Sequence, residues 1–219
     1  MDYKFAVFDL DGTIVDSMKY WRGLPFAFLN AQYGYKDFPE KAVKDVILAD
    51  CLNYNWKDTS KYLNERYGYP EVEIDRPSAL DMMNKFYSTV IDFKPFAREF
   101  LEKLQKEGVK CSIATATPQR EVNAVLERLG ISHYFKFVLT TEEVGRGKYH
   151  PDIFDKSLEL HGPEATKENT MVFEDAVYSI RTLRKHGYRV TGIEDYCERE
   201  QDEVKALSEK YIKSYEEIL

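Results

Sequence analysis

The stretch from Tyr3 to Thr13, YKFAVFDLDGT, constrains the fold more than any other part of the chain. Lys4 to Phe8 is short, mostly apolar and rich in aromatic and branched side chains, the pattern of a central strand covered on both faces. Asp9 breaks that run, Asp11 follows after one apolar residue, and Gly12 and Thr13 turn the chain away. Side chains alternate across a strand, so two carboxylates spaced this way at its carboxyl end project to one side. The same residues also suit a plain strand-to-turn boundary, because Asp and Gly are common turn formers. The two readings part on whether partners for such a carboxylate pair recur at the ends of later strands.

After Ser17 the chain reads as helix after helix to about Ile91. Lys19 to Tyr33 carries Trp21, Leu24, Phe26, Phe28 and Leu29, with Pro25 expected to break it into two short helices or bend it. Pro39 precedes a helical stripe of Ala42, Val43, Val46, Ile47 and Leu48. Asp58-Thr59-Ser60 is expected to cap a helix stopping at Gly68, and Pro77-Ser78 to open another ending near Val90. From Pro95 strands and helices alternate again. Strands are expected at Val109 to Ala114, Phe135 to Leu139, Thr170 to Phe173 and Tyr188 to Ile193, with a short one near Tyr211. Helices are expected from Phe96 to Gly108, Gln119 to Leu129, Pro151 to His161, and from Glu174-Asp175 to His186. Thr140 to Gly147 reads as a polar loop.

This rhythm implies an α/β fold, a Rossmann-like, mainly parallel sheet with helices on both faces. The expected division is a catalytic core of residues 1–16 and 93–219, with an inserted all-helical cap at 17–92. Functional groups then gather at the carboxyl ends of the strands.

At 219 residues with 43% hydrophobic and 14% aromatic content, the chain can bury a sizeable core. Its net charge of −7 has no basic block against it, which argues against a nucleic-acid or anionic-membrane partner. Cys51, Cys111 and Cys197 are widely spaced and lack zinc-site pairing, as reduced thiols of a cytoplasmic protein would be. The first residues lack the basic and apolar segments of a signal peptide, and no run reaches the roughly 20 apolar residues of a membrane span.

Three later strand ends carry the missing partners. Thr115-Ala116 follows an apolar strand where a hydroxyl and backbone amides meet a helix start. Lys148 lies in GKYHPDIF, and Glu174-Asp175 follows Met171-Val172-Phe173. With DLDGT at Asp9 to Thr13, these resemble the four motifs of the haloacid dehalogenase-like hydrolase superfamily, in order and each on its expected element. Tyr149 stands where that family's third motif has a proline. Ser179 stands where the fourth often has glycine, a change expected to alter helix packing only.

The resemblance covers the core, and the cap matches in position and helical character. It implies a phosphatase with Asp9 as nucleophile, forming an aspartyl-phosphate, and Asp11 as the acid and base that serves the leaving alkoxide and then water. Thr115, Ala116 and Lys148 would hold the phosphate. Asp9, Asp11 through its carbonyl, Glu174 and Asp175 would hold Mg²⁺, a hard cation suited to oxygen ligands. Asp11 disfavours carbon–halogen cleavage, which needs no proton. The implied substrate is a small phosphorylated metabolite and the implied assembly a monomer or weak homodimer. Tyr20, Trp21, Arg22 and His150 are the candidate substrate contacts. The nearest rival is a sugar-phosphate mutase of the β-phosphoglucomutase kind, followed by a non-catalytic phosphate-binding regulator. Trp21 occupies the place where such mutases carry a gating His, and an indole cannot relay a proton as imidazole does.

Overall fold

The computed structural model describes residues 1–47 and 56–219; Leu48 and Cys51 lie outside the described residues. Its strands are β1 (Phe5–Phe8), β2 (Lys110–Thr115), β3 (Phe135–Thr140), β4 (Thr170–Glu174), β5 (Arg189–Ile193) and β6 (Lys210–Ile212). They form a six-stranded sheet in the order β3-β2-β1-β4-β5-β6, every pair parallel. Between β1 and β2 run α1 (Met18–Arg22), α2 (Leu24–Tyr33), α3 (Glu40–Ile47), α4 (Trp56–Tyr67), α5 (Arg76–Thr89) and α6 (Ala97–Lys106). The later connections carry α7 (Gln119–Leu129), α8 (Thr141–Val144), α9 (Asp152–His161), α10 (Val177–Lys185) and α11 (Gln201–Leu207). No helix among the described residues is long and apolar enough to cross a membrane.

The period of two divides the sheet into two buried faces. Ala6, Phe8, Cys111, Ile113, Met171 and Phe173 face one side and pack with the apolar stripes of α6 and α7. Val7, Ala114 and Val172 face the other, against Ile153 and Phe154 of α9 and Ile180 and Leu183 of α10. The first cluster continues without a gap through Leu10, Ile14 and Val15 into Leu24, Met83 and Tyr87 of the helical segment. Register matters most at Phe8, which lies opposite Ile113 of β2 and Phe173 of β4. The Phe8 and Phe173 rings stack with centroids 4.4 Å apart, and Phe100 meets Phe173 edge-on at 5.4 Å.

The helix break near Pro25 falls at Gly23, and Pro25 takes a place in the first turn of α2, where its missing N–H leaves no bond unmade. Two helix starts differ from expectation. α4 is already helical at Trp56, so Asp58 sits in its first turn and does not cap it. α5 begins one residue earlier, at Arg76, and is capped by Asp75, whose carboxylate accepts from the Ser78 N–H at 2.9 Å. The polar loop after β3 contains α8, closed by a reciprocal capping box of Thr140 and Glu143. α11 has no counterpart in the sequence reading: its seven residues bury Val204 alone, too short a stripe to show a helical period.

The chain leaves and re-enters the sheet region at one place. Val15 and Phe93 form an antiparallel bridge, the Asp16 N–H donates to the Asp92 carbonyl at 2.8 Å, and the Lys94 N–H donates to Ile14 at 2.9 Å. Lys94 then pairs with Asp195, 2.9 Å away, in a buried ion pair. Cys111 and Cys197 are buried free thiols, pushed up to about 12 by burial first.

His161, at the end of α9, is buried between Phe5 and Phe137, with Nε2 2.9 Å from Ser112 Oγ. Burial, helped by Lys136 and Lys110, lowers its pKa from 6.5 to about 4. Above pH 6.5 the ring is neutral both folded and unfolded. As the pH falls from 6.5 toward 4 only the unfolded chain takes up the proton, so stability drops, by on the order of 3 kcal/mol, and levels off below that. Urea unfolding of His161→Gln, compared with wild type at several pH values, should show this part of the acid loss removed.

Candidate active site

The register that stacks Phe8 on Phe173 places the residues after them side by side. Asp9 follows β1, its N–H bonded to the Phe173 carbonyl at 2.9 Å, and Glu174 ends β4 with Asp175 next. One carboxylate oxygen from each of Asp9, Glu174 and Asp175 lies within 4.8 Å of the others, and all three residues are buried. Lys148, from the loop before α9 and only 3% exposed, puts its ammonium on Asp9 Oδ1 and on Glu174 Oε2, the latter at 2.9 Å.

One ammonium does not balance three buried carboxylates. Burial above all, with Glu174 and Asp11 adding repulsion, pushes Asp9 up to about 8 despite Lys148. Burial and the Glu174 and Asp9 charges likewise hold Asp175 well above the carboxylate range. Burial alone would lower Lys148, yet Asp9 and Glu174 hold it above its ordinary value. The donors are all oxygen and the surplus charge is negative, which fits a hard divalent cation.

Each carboxylate is oriented separately. Glu174 Oε2 accepts from Ser179 Oγ at 2.7 Å, and Oε1 from the Asp175 and Ala176 N–H groups, both at 3.2 Å. Ser179 therefore does more than alter helix packing: its hydroxyl, one turn into α10, fixes a carboxylate of the cluster. Asp175 Oδ1 accepts from Thr13 Oγ1 at 2.9 Å. Gly12, at φ +75°, lets the turn pass beneath Asp175, since a Cβ there would meet Asp175 Oδ2 at 2.3 Å.

Asp11 points elsewhere. Its Oδ1 accepts from Ser17 Oγ and from the Tyr87 hydroxyl of α5, and its Oδ2 meets Thr117 Oγ1. Its side chain is not part of the three-carboxylate cluster. Thr115 ends β2, buried, and its hydroxyl accepts from the Thr117 N–H at 3.1 Å, while Ala116 between them is exposed. These groups line a cavity of about 300 Å³ with Asp9, Asp11, Thr115, Ala116, Thr117, Lys148, Glu174 and Asp175 on its floor. Met18, Trp21, Trp56, Arg76 and Leu80 of the helical segment form the facing wall.

Of the four candidate substrate contacts, Trp21 lines this cavity. Arg22 lines an adjoining recess of about 560 Å³ and donates to the Ile47 carbonyl at 3.1 Å. Tyr20 packs on Phe86, ring centroids 5.1 Å apart, and His150 is exposed; neither lines the cavity. Sequence reasoning missed Thr117 and Tyr87. Thr117 had a signal, standing two residues after Thr115. Tyr87 had a weaker one, a phenol on the same stripe of α5 as Ala79 and Met83.

Residues 6–193 match the family model described as haloacid dehalogenase-like hydrolase. The chain belongs to the haloacid dehalogenase-like hydrolases. Among similar proteins is a phosphoglycolate phosphatase of Haemophilus influenzae, 30% identical in an alignment 165 residues long that covers 68% of this chain and 67% of the relative. A phosphorylated carbohydrates phosphatase of Thermotoga maritima is 31% identical over 110 residues, and the matched part spans 50% of each protein. The fold is also that of CbbY from Rhodobacter sphaeroides, solved in complex with phosphate, with a TM-score of 0.71 at 16% identity over 99% of this chain and 96% of the other.

Gly12→Ala should destabilise the protein by about 1–3 kcal/mol, because it imposes positive φ on a residue with a Cβ and drives that atom into Asp175. Denaturant unfolding checks this. A change below about 0.5 kcal/mol would mean that the turn relaxes freely.

Proposed function

We propose that this haloacid dehalogenase-like hydrolase is a phosphatase acting on a small phosphorylated metabolite through an aspartyl-phosphate on Asp9. The observation that carries this reading is the convergence of Asp9, Asp11, Thr115, Lys148, Glu174 and Asp175 on one cavity of about 300 Å³. Asp9 would attack phosphorus in line with the departing ester oxygen. Thr115, the Ala116 backbone and Lys148 would hold the non-bridging oxygens of the transferring phosphoryl group, so that charge developing on them meets fixed donors. Asp11, outside the cluster, gives a proton to the leaving oxygen and then takes one from water. Asp9, Glu174, Asp175 and the Asp11 carbonyl would hold Mg²⁺, which supplies charge neutralisation between the carboxylates and the phosphate dianion.

The helical segment 17–92 would serve as a cap over the core of residues 1–16 and 93–219. It supplies the wall of Met18, Trp21, Trp56, Arg76 and Leu80, and closure there would exclude water from the transfer. Hydrolysis is favoured over sugar-phosphate isomerisation because Trp21 donates its only N–H to Tyr87, at 2.9 Å, and has no basic atom to pass a proton on. The names of the two phosphatase relatives, one for phosphoglycolate and one for phosphorylated carbohydrates, agree with a small ester.

A screen of phosphorylated metabolites with Mg²⁺ should release inorganic phosphate from a limited set of esters. Asp9→Asn should lower that rate at least about 10³-fold while leaving the unfolding midpoint close to wild type, since the amide keeps the shape and loses the nucleophile. Chelation should stop turnover and added Mg²⁺ restore it. Efficient conversion of β-glucose 1-phosphate to glucose 6-phosphate would overturn hydrolysis in favour of the mutase.

A further inference from the structure

The contacts around Asp11 have a direction. An indole N–H can only donate, so Trp21 Nε1, 2.9 Å from the Tyr87 oxygen, makes that oxygen an acceptor. Tyr87 has one proton, and of its two other partners, the Asp11 carboxylate and the Thr117 hydroxyl, it donates to Asp11 Oδ1, while Thr117 has a proton of its own to give. The phenol is wholly buried, and burial together with Asp11 keeps it neutral. Ser17 Oγ reaches the same Oδ1. Oδ1 thus faces hydroxyl donors from two sides, which occupy it. Oδ2 meets Thr117 Oγ1, a hydroxyl that can turn to donate or to accept, and Thr117 and Asp11 both line the cavity.

We infer that Tyr87, aligned by Trp21, is a positioning residue that commits Asp11 Oδ1 to the protein and leaves Oδ2 as the oxygen that exchanges protons with the substrate. The inference rests on the phosphatase reading and deepens it. In the first step an Asp9 oxygen forms the new bond to phosphorus, and the ester P–O bond breaks with its electron pair on the ester oxygen. The proton on Asp11 Oδ2 moves to that oxygen. Because Tyr87 and Trp21 belong to the helical segment while Asp11 and Thr117 belong to the sheet side, the acid is aimed only while the two are in contact. Trp21 also lines the cavity, so a substrate that seats against the indole supports the same alignment.

The test compares esters by how much their leaving group needs a proton. Acetyl phosphate and p-nitrophenyl phosphate release stable anions, whereas the best alkyl phosphate from the screen releases a basic alkoxide. kcat/KM covers only the steps through departure of the leaving group, so the later use of Asp11 as base does not enter. Tyr87→Phe should lose about 10-fold more kcat/KM on the alkyl ester than on the activated pair, a share of the 10²- to 10⁴-fold that general acids supply. Trp21→Phe should lose in the same order, by a smaller ratio, since Tyr87 keeps its hydroxyl. Equal losses on all the esters, or none, in folded Tyr87→Phe would overturn the inference and leave the phosphatase assignment standing. Should Tyr87→Phe not fold, the ratio in Trp21→Phe decides. A wild-type protein that releases phosphate from no ester would remove the phosphatase reading itself, and this inference with it.

Discussion

Three carboxylates held within 4.8 Å of one another, out of water and with a single ammonium between them, are the constraint on which the rest of this structure depends. Left to themselves they would separate or take up protons, because like charges in a low dielectric repel strongly. They stay because their backbones are not free. Asp9 and Glu174 are the residues next after a stacked pair of phenylalanines on adjacent parallel strands, and Phe100 and Tyr215 complete a buried aromatic cluster beneath them. Burying each of those rings contributes roughly 1.5–3 kcal/mol, and the parallel register converts that non-directional stabilisation into a fixed position for the charges above it.

Asp9 and Asp11 show how one local pattern yields two chemical environments. Both line a single cavity, although β1 ends at Phe8 and the two side chains turn to different partners. Asp9 is surrounded by charge, with Lys148 on one side and the other carboxylates on the next, whereas Asp11 is surrounded by hydroxyls of Ser17, Thr117 and Tyr87. Two carboxylates with separated environments can divide nucleophilic and proton-transfer work without competing for it.

How much of this was legible in the chain follows from the range of each interaction. β1, the doubly covered sheet, the break near Pro25 and the carboxylate and lysine positions rest on short stretches whose composition reports their surroundings. α5 and α8 shifted or appeared because helix ends turn on a side-chain hydrogen bond, such as Asp75 to Ser78, that periodicity does not register. Tyr87 is separated from Asp11 by 76 positions, and its role exists only once the helical segment lies on the sheet. Ser179 read as a packing change because its partner, Glu174, is identified only by direction, which needs the helix in place. His150 and Tyr20 sat close to informative residues in sequence and turned away in space.

The antiparallel bridge of Val15 with Phe93 ties together the two points where the chain departs from and returns to the sheet. Seen from the sheet, everything between them is a closed loop whose ends are already joined. The entropy of closing such a loop rises only with the logarithm of its length, so residues added or removed between the packed helices cost the sheet little. What the joined ends leave unconstrained is length alone; the few helical residues that touch the floor, Tyr87 on Asp11 among them, are fixed by the groups they meet.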